Sequence, residues 1–111
     1  MVERRIRVYI AGPYTSDPAG NTARAIAAGD CLLLAGLAPY VPHVSHYWNA
    51  CYPHPWETWM ALDFEWVLAC AAVVRLPGAS TGADMETRLA RKNGIPVFDS
   101  VEACIEWTRY R

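Results

Sequence analysis

The sequence predicts an α/β fold in which four parallel strands form a sheet of order 2-1-3-4, covered by helices on both faces. Short segments rich in β-branched residues alternate with longer helical segments, and this alternation is typical of right-handed crossovers and a parallel sheet. Pro39 and Pro42 fall in the second predicted strand and Pro96 in the fourth. Because proline cannot donate a hydrogen bond to a neighbouring strand, these two strands are expected at the edges and strands one and three in the centre.

The first strand is predicted over Arg7–Ala11, where apolar residues precede a break at residues 12–13. Asn21 is expected to cap a helix that runs to about Gly36, because asparagine is a preferred N-cap and glycine favours a C-terminal end. The residues expected on or near the core face of this helix are Ile26, Ala27, Leu33, Leu34 and Leu37. The second strand is predicted over residues 38–43.

The second half of the chain continues the alternation after an aromatic loop. Its predicted elements are a helix from Glu57 to about Cys70, a strand over 72–76, a helix from Thr81 or Gly82 to about Asn93, a strand over 95–98, and a helix capped by Ser100 that ends near Thr108. In a sheet of this order the connections leave strands one and three in opposite directions, so a ligand crevice opens at their carboxyl ends. The loops expected to form the crevice are residues 12–20 and 77–86.

Composition indicates one domain that binds a small molecule. A chain of 111 residues suffices for a single core, and residues 1–111 are expected to form one domain. With a net charge of -1 and 19% charged residues, the chain lacks the basic excess of a protein that binds nucleic-acid polymers. A small or neutral ligand is the expected partner.

The longest uncharged stretch lies between Asp30 and Glu57, where prolines and histidines interrupt the apolar residues. Only residues 32–41 are continuously apolar or small, about half of the roughly 20 residues that a spanning helix needs. The four cysteines are widely spaced without a CxxC pair, and no signal segment precedes the first apolar run at Ile6. We therefore expect no membrane span, free thiols and a cytoplasmic location.

The first crevice loop, residues 12–16, has the sequence Gly-Pro-Tyr-Thr-Ser. It matches neither the GxxxxGK phosphate loop nor the GxGxxG dinucleotide motif. Its hydroxyls and backbone N–H groups could hold a ribose or a single phosphate beside a helix start. An ordinary polar turn explains the same residues equally well.

The second crevice loop places Glu86 close to the start of the helix that follows it. A carboxylate in a first helical turn meets the positive end of the helix dipole, which favours the ionised form that a nucleophile requires. The competing interpretation is structural, because Thr81 with Asp84 resembles a capping box. The spacing alone favours this structural interpretation.

Two other charged residues have apolar neighbours. Asp63 lies in a strongly apolar helix and is either on the solvent face or directed at a site. Arg75 lies in a central strand of valine and alanine, where a charge needs a partner. An ion pair with Glu86 or Asp63 is one explanation for Arg75, and direct ligand contact is the other.

The aromatic loop contains four residues that bind metals in other proteins. They are His43, His46, Cys51 and His54. Their spacing matches none of the common zinc patterns, so a zinc-stabilised module remains a minor alternative. The surrounding Tyr47, Trp48, Tyr52 and Trp56 either pack over the end of the sheet or form a flat wall for a nucleobase.

Taken together, the motifs resemble the nucleoside 2-deoxyribosyltransferase-like superfamily, and most closely its short, mostly uncharacterised branch from phages and bacteria. The residues that carry the resemblance are Tyr9 to Thr15 (YIAGPYT), Asn21, Val41-Pro42-His43, Asp63, Leu76-Pro77-Gly78, Ser80-x-Gly82-Ala83-Asp84-x-Glu86 and Gly94 to Val97 (GIPV). They occur in order over nearly the whole chain.

This resemblance implies a flavodoxin-like (Rossmann-like) three-layer sandwich and an enzyme that acts on the N-glycosidic bond of a deoxynucleoside or its 5′-monophosphate. Glu86 matches the nucleophile, Tyr9 the tyrosine that holds it, and Asp63 approximately the acid near the base. The resemblance implies a homodimer or larger assembly, and the mechanism requires no metal or organic cofactor. Base transfer and hydrolysis both remain open.

The residues expected to contact the substrate are Gly12, Pro13, Tyr14, His43, Trp48, Ser80, Gly82 and Asp84. Ser80 and Gly82 match the loop that relatives acting on monophosphates use around the 5′ end. Asp84 is the second candidate acid after Asp63. Retaining glycoside chemistry predicts about 5–5.5 Å between the two carboxyl groups. A non-catalytic nucleotide-binding protein on the same fold is the main alternative.

Overall fold

A computed structural model describes residues 4–110 and contains a parallel sheet of order β2-β1-β3-β4. In chain order the elements are β1 (Arg7–Ala11), α1 (Pro18–Leu34), β2 (Ala38–Tyr40), a 3₁₀ turn (Pro42–Val44), α2 (Ser45–Cys51), α3 (Trp56–Ala69), β3 (Ala72–Arg75), α4 (Thr81–Lys92), β4 (Val97–Phe98) and α5 (Val101–Arg109). The predicted fold class and strand order are confirmed.

Strands β2 and β4 lie at the edges as predicted, although only Pro39 of the three prolines lies within a strand. Strand β1 pairs in parallel with β2 and with β3, and Tyr9 lies opposite both Tyr40 and Val73. Strand β4 extends the sheet beyond β3, with Val73 opposite Val97. Because β1 and β3 are paired on both sides, their backbone groups are satisfied and their carboxyl ends are fixed beside each other.

Helices cover both faces of the sheet and give a flavodoxin-like three-layer sandwich. Val8 and Ile10 of β1 face a core formed with α1 and α5. Tyr9 and Ala11 point to the opposite face, where α3 and α4 pack. This alternation follows from the two-residue period of a strand. It directs the Tyr9 side chain towards the helices that carry the acidic residues.

Helix α1 begins earlier than predicted, and Asn21 is not its cap. Asp17 occupies the N-cap and accepts a hydrogen bond from Gly20 N at 3.2 Å, while Pro18 opens the helix. Proline is favoured there because its missing N–H would have no helical partner. The Asn21 side chain is buried and donates to Tyr14 O at 3.2 Å and to Ser16 Oγ at 3.1 Å. It therefore fixes the first crevice loop.

The predicted core face of α1 is also wrong except at Leu37. The buried residues are Asn21, Ala25, Gly29, Leu32 and, after the helix, Leu37, whereas Ile26, Ala27, Leu33 and Leu34 are exposed. Small residues on the buried stripe let the helix approach the sheet edge closely. A Cβ added at Gly29 would lie only 2.7 Å from Val41 Cγ2. Gly29 permits this close approach because it has no side chain.

The second strand is shorter than predicted, because the chain turns after Tyr40. Pro42 starts the 3₁₀ turn, and the aromatic loop that follows contains the short helix α2, which the sequence did not predict. Strands β3 and β4 are also shorter than expected. Ser80, rather than Thr81, caps α4, and Ser100 caps α5 as predicted.

The cysteines Cys31, Cys51, Cys70 and Cys104 are all free thiols, as expected. Within residues 4–110, no helix combines the length and apolar character needed to cross a membrane.

Two leucines of α1 provide a matched test of the observed packing. We expect Leu32→Ala to lower the free energy of unfolding by about 2–5 kcal/mol, because Leu32 is fully buried. Leu34→Ala should change it by less than about 0.5 kcal/mol, because that side chain is 80% exposed. Urea denaturation of both variants measures the difference. A larger loss for Leu34→Ala would contradict the observed orientation of α1.

Candidate functional site

A cavity of about 620 Å³ opens at the carboxyl ends of β1 and β3, where the sequence predicted a crevice. Volumes of this size are common for small-molecule sites. The residues that line it are Gly12, Tyr14, Thr15, Pro42, His43, Ser45, Asn49, His54, Trp56, Trp59, Met60, Asp63, Ser80, Thr81, Gly82, Ala83 and Glu86. They come from both crevice loops, the aromatic segment between β2 and α3, helix α3 itself and the start of α4.

A buried hydrogen bond joins the sheet to the acidic side of this cavity. The Tyr9 hydroxyl donates to Glu86 Oε2 at 2.7 Å, and Glu86 is only 5% exposed. Tyr9 is fixed by its position in the central strand and by a stacked contact with Tyr40, with 5.8 Å between ring centroids. The tyrosine therefore holds the Glu86 carboxyl in one orientation.

Asp63 of α3 completes an acidic pair. Its carboxyl makes a side-chain hydrogen bond with Glu86, and both residues line the cavity. A proton held between the two carboxyls replaces their repulsion by a hydrogen bond. The separation of about 5–5.5 Å expected for retaining chemistry stays a prediction.

Burial dominates the titration of this pair. It raises the pKa of Glu86 to about 8, and the neighbouring Asp63 raises it further, whereas the Tyr9 hydrogen bond and the Arg75 charge oppose the rise. Burial likewise raises the pKa of Asp63 to about 6. Burial and the Glu86 charge raise the pKa of Tyr9 well above its usual value, so Tyr9 remains a donor. Near neutral pH the two carboxyls therefore share about one proton.

The expectation that a helix dipole keeps Glu86 ionised is not met. Helix α4 starts at Thr81, so Glu86 lies in its second turn, away from the free N–H groups at the helix end. Desolvation outweighs the dipole at this depth, because the charged form loses its contact with water. The acidic residue in the first turn is Asp84 instead.

Arg75 is partnered by Asp84, not by Glu86 or Asp63. Its guanidinium lies 3.0 Å from Asp84 Oδ1 and donates to Leu76 O and to Gly78 O. These bonds fix the second crevice loop. Asp84 is exposed and is not among the cavity residues, because its side chain turns towards Arg75. As a candidate acid it is therefore misplaced.

The other predicted contact residues divide into two groups. Gly12, Tyr14, His43, Ser80 and Gly82 line the cavity. Pro13 and Trp48 do not belong to the lining. Pro13 O instead bonds His43 Nε2 at 3.0 Å, and Trp48 packs edge-on against Trp59 with 5.2 Å between ring centroids. Trp48 therefore contacts the cavity lining only through Trp59.

His43 is a neutral structural link between the first loop and the 3₁₀ turn. It is 5% exposed, and burial lowers its pKa, although the carbonyl groups of Pro13 and Gly12 favour the protonated form. Its Nδ1 atom is buried without a partner among the described residues. Nearby, the Tyr14 hydroxyl lies 2.6 Å from His46 Nδ1. These contacts hold the aromatic segment over the cavity.

Of the aromatic residues that the sequence offered as a wall for a nucleobase, Trp56 lines the cavity. Sequence reasoning did not single out several other lining residues, namely Thr15, Ser45, Asn49, His54, Trp59, Met60 and Thr81, as substrate contacts. The absence of charge in the aromatic segment was the available signal, since a solvated loop would normally carry some. It could not say which aromatic rings face inwards, because that depends on how α3, which carries Trp56 and Trp59, packs in the folded protein.

The zinc arrangement of His43, His46, Cys51 and His54 is not formed. Within residues 4–110, no group of three or more His, Cys, Asp or Glu side chains is placed to hold a metal ion. His43 and His46 are instead engaged by the first loop, and Cys51 is exposed.

The acidic pair makes stability depend on pH in a definite direction. Because the folded-state pKa values lie above those of free carboxyls, the folded protein binds more protons than the unfolded chain between about pH 4 and pH 8. The free energy of unfolding contributed by the pair should therefore fall as pH rises through this window. Each pKa unit corresponds to about 1.4 kcal/mol, so we expect a fall of at least that size.

The control is Glu86→Gln, which retains an acceptor for Tyr9 and cannot ionise. Urea denaturation at several pH values should show a clearly shallower fall for this variant. Equal slopes for the parent protein and Glu86→Gln would show that Glu86 does not carry the effect.

Comparison with known proteins identifies a family but no activity. A search among curated proteins gave no match. The match to a family covers residues 6–99, which include both crevice loops, Asp63 and Glu86. By this match the chain belongs to the family described as "Domain of unknown function (DUF4406)".

Proposed function

We propose that this protein is an enzyme that cleaves the N-glycosidic bond of a (deoxy)nucleoside or its 5′-monophosphate through a covalent intermediate on Glu86. The observation that carries the proposal is the group formed by buried Tyr9 and Glu86 and half-buried Asp63, whose two carboxyls line the cavity. A nucleophile, an oriented donor and a second carboxyl are the groups that such a displacement needs. The resemblance to nucleoside 2-deoxyribosyltransferases points to the same chemistry.

In the proposed first step, the proton of the acidic pair resides on Asp63 and Glu86 is ionised. Glu86 Oε1 attacks C1′, because Oε2 accepts the hydrogen bond from Tyr9. The C1′–N bond breaks, its electron pair goes to the base nitrogen, and Asp63 donates its proton to the leaving base. The products are the free base and a glycosyl ester of Glu86.

In the second step, the ionised Asp63 accepts a proton from water or from the N–H of another base. The resulting nucleophile attacks C1′ and releases the Glu86 carboxylate. Attack by water gives hydrolysis, and attack by a base gives transfer. Contact between the two carboxyls before the reaction supplies a short path for moving the proton from Glu86 to Asp63.

The cavity wall supports a substrate that carries a flat ring. Trp56, Trp59 and Met60 of α3 line the cavity beside Asp63, and aromatic and thioether side chains pack well against planar rings. Ser80 and Gly82 lie at the α4 end of the same cavity. A base on the α3 wall and a sugar towards α4 would bring C1′ next to Glu86.

Glu86→Gln tests the proposed nucleophile, because an amide cannot form the ester. Release of free base from a panel of deoxynucleosides and monophosphates should fall by on the order of 10³-fold or more. Tyr9→Phe should cause a smaller loss, since the carboxyl stays but is no longer held. Glu102→Gln on the exposed side of α5 is the matched control and should leave the rate unchanged. Base release by Glu86→Gln at the parent rate would remove Glu86 from the mechanism.

The charge of the cavity favours the nucleoside over its monophosphate. Among the described residues that line it, two are acidic and none is lysine or arginine. A phosphate would therefore enter without a cationic side chain to offset its repulsion from the pair. We expect kcat/KM for the best deoxynucleoside to exceed that for its 5′-monophosphate by at least about ten-fold. A preference for the monophosphate in the same assay would contradict this assignment.

A non-catalytic nucleotide-binding protein remains the second candidate, and one observation favours it. Burial raises the pKa of Glu86, and a protonated Glu86 could simply donate a hydrogen bond to a ligand hydroxyl. Calorimetric binding without release of free base would support this candidate over the enzyme.

A further inference from the structure

We infer that Asn49 determines which part of the base is recognised, by donating a hydrogen bond from its amide nitrogen to an acceptor atom of the base. This inference rests on the proposed function and goes beyond it by assigning the specificity residue. Asn49 lies in α2 and lines the cavity.

The orientation of the Asn49 amide is fixed by two donors. Trp59 Nε1 donates to Asn49 Oδ1 at 2.7 Å, and the backbone N of His54 donates to the same oxygen at 2.9 Å. An indole N–H and a backbone N–H can only donate. The atom that faces them must therefore be the oxygen, and the amide cannot be reversed without losing both bonds.

The amide nitrogen is left for a ligand. Asn49 Nδ2 has no hydrogen-bond partner among residues 4–110 and is not one of the buried unpartnered atoms, so it remains accessible. Because the oxygen is fully engaged, the side chain presents donors only. A ligand atom that meets it must be an acceptor, such as a ring nitrogen or a carbonyl oxygen of a base.

Asn49 lies on the side of the cavity where the proposed base would pack, and not on the side proposed for the sugar. Trp59 precedes Asp63 by one helical turn on α3, a rise of about 6 Å. Asn49 is bonded to the Trp59 ring and so lies on the aromatic wall beyond the acidic pair. Ser80 and the start of α4 provide the polar groups at the other side of the cavity.

The test compares Asn49→Asp with Asn49→Ala. Aspartate keeps an oxygen for Trp59 and His54 but replaces the donor by a second acceptor. Binding of 2′-deoxyadenosine, 2′-deoxyguanosine, 2′-deoxycytidine and thymidine is measured by calorimetry for both variants and the parent. These nucleosides are uncharged, so a loss of affinity reports the change from donor to acceptor.

We expect Asn49→Asp to melt near the parent temperature and to bind the preferred nucleoside at least about ten-fold more weakly. Asn49→Ala should melt lower, because the donors of Trp59 and His54 lose their partner. If Asn49→Asp binds as tightly as the parent and only Asn49→Ala is weakened, Asn49 serves packing alone and the inference is wrong.

The outcomes separate this inference from the reaction it rests on. Binding that depends on Asn49 without release of free base would sustain the inference and defeat the proposed cleavage. Cleavage that Asn49→Asp leaves unchanged would sustain the proposed cleavage and defeat the inference about Asn49. A parent protein that binds neither the four nucleosides nor their 5′-monophosphates would overturn both.

Discussion

The hydrogen bond from Tyr9 to Glu86 is the contact on which the site depends. It joins the central strand of the sheet to helix α4 inside the protein, where water cannot replace it. A carboxyl at this depth loses most of its hydration, and the structure compensates with one donor and one neighbouring acid. Without those partners a buried carboxyl would lack hydrogen bonds, which is costly in either protonation state. The Tyr9–Glu86–Asp63 contacts therefore link β1, α4 and α3 at one point.

The aromatic residues extend this constraint to the surface. Tyr9 stacks on Tyr40, and Tyr40 stacks on Trp66 with 4.9 Å between ring centroids. The stack connects β1, the edge strand β2 and helix α3, so the Tyr9 ring cannot swing away from Glu86 without disturbing all three. A second set of contacts, from Asn49 and Trp48 to Trp59, holds the Trp59 ring that lines the cavity. The Tyr9 donor and the Trp59 ring are thus both fixed by further aromatic or polar contacts.

Much of the fold could be predicted because the strand, turn and capping signals of the sequence agree with the elements that form. The prolines in and beside β2 and β4 predicted the edge positions of these strands, and the apolar run that ends at Ala11 predicted the buried strand β1. The same reasoning failed on α1, where Asp17 and Pro18 set the start and Gly29 allowed close contact with Val41. Asp17 followed by Pro18 is itself a local signal for a helix start, so this boundary could have been predicted from the sequence.

Strand order, the location of the crevice and the type of residues at its acidic side could be predicted from the amino-acid sequence, because they follow from periodicity, proline placement and loop position. Which side chains meet depends on the packing of the folded chain. That packing paired Arg75 with Asp84, brought Asp63 into contact with Glu86, and turned Asn49 into the cavity. It also reversed the expected ionisation of Glu86, because desolvation depends on depth in the packed protein and not on position along a helix. Sequence spacing cannot give that depth, since it arises only when the sheet and helices close around the carboxyl.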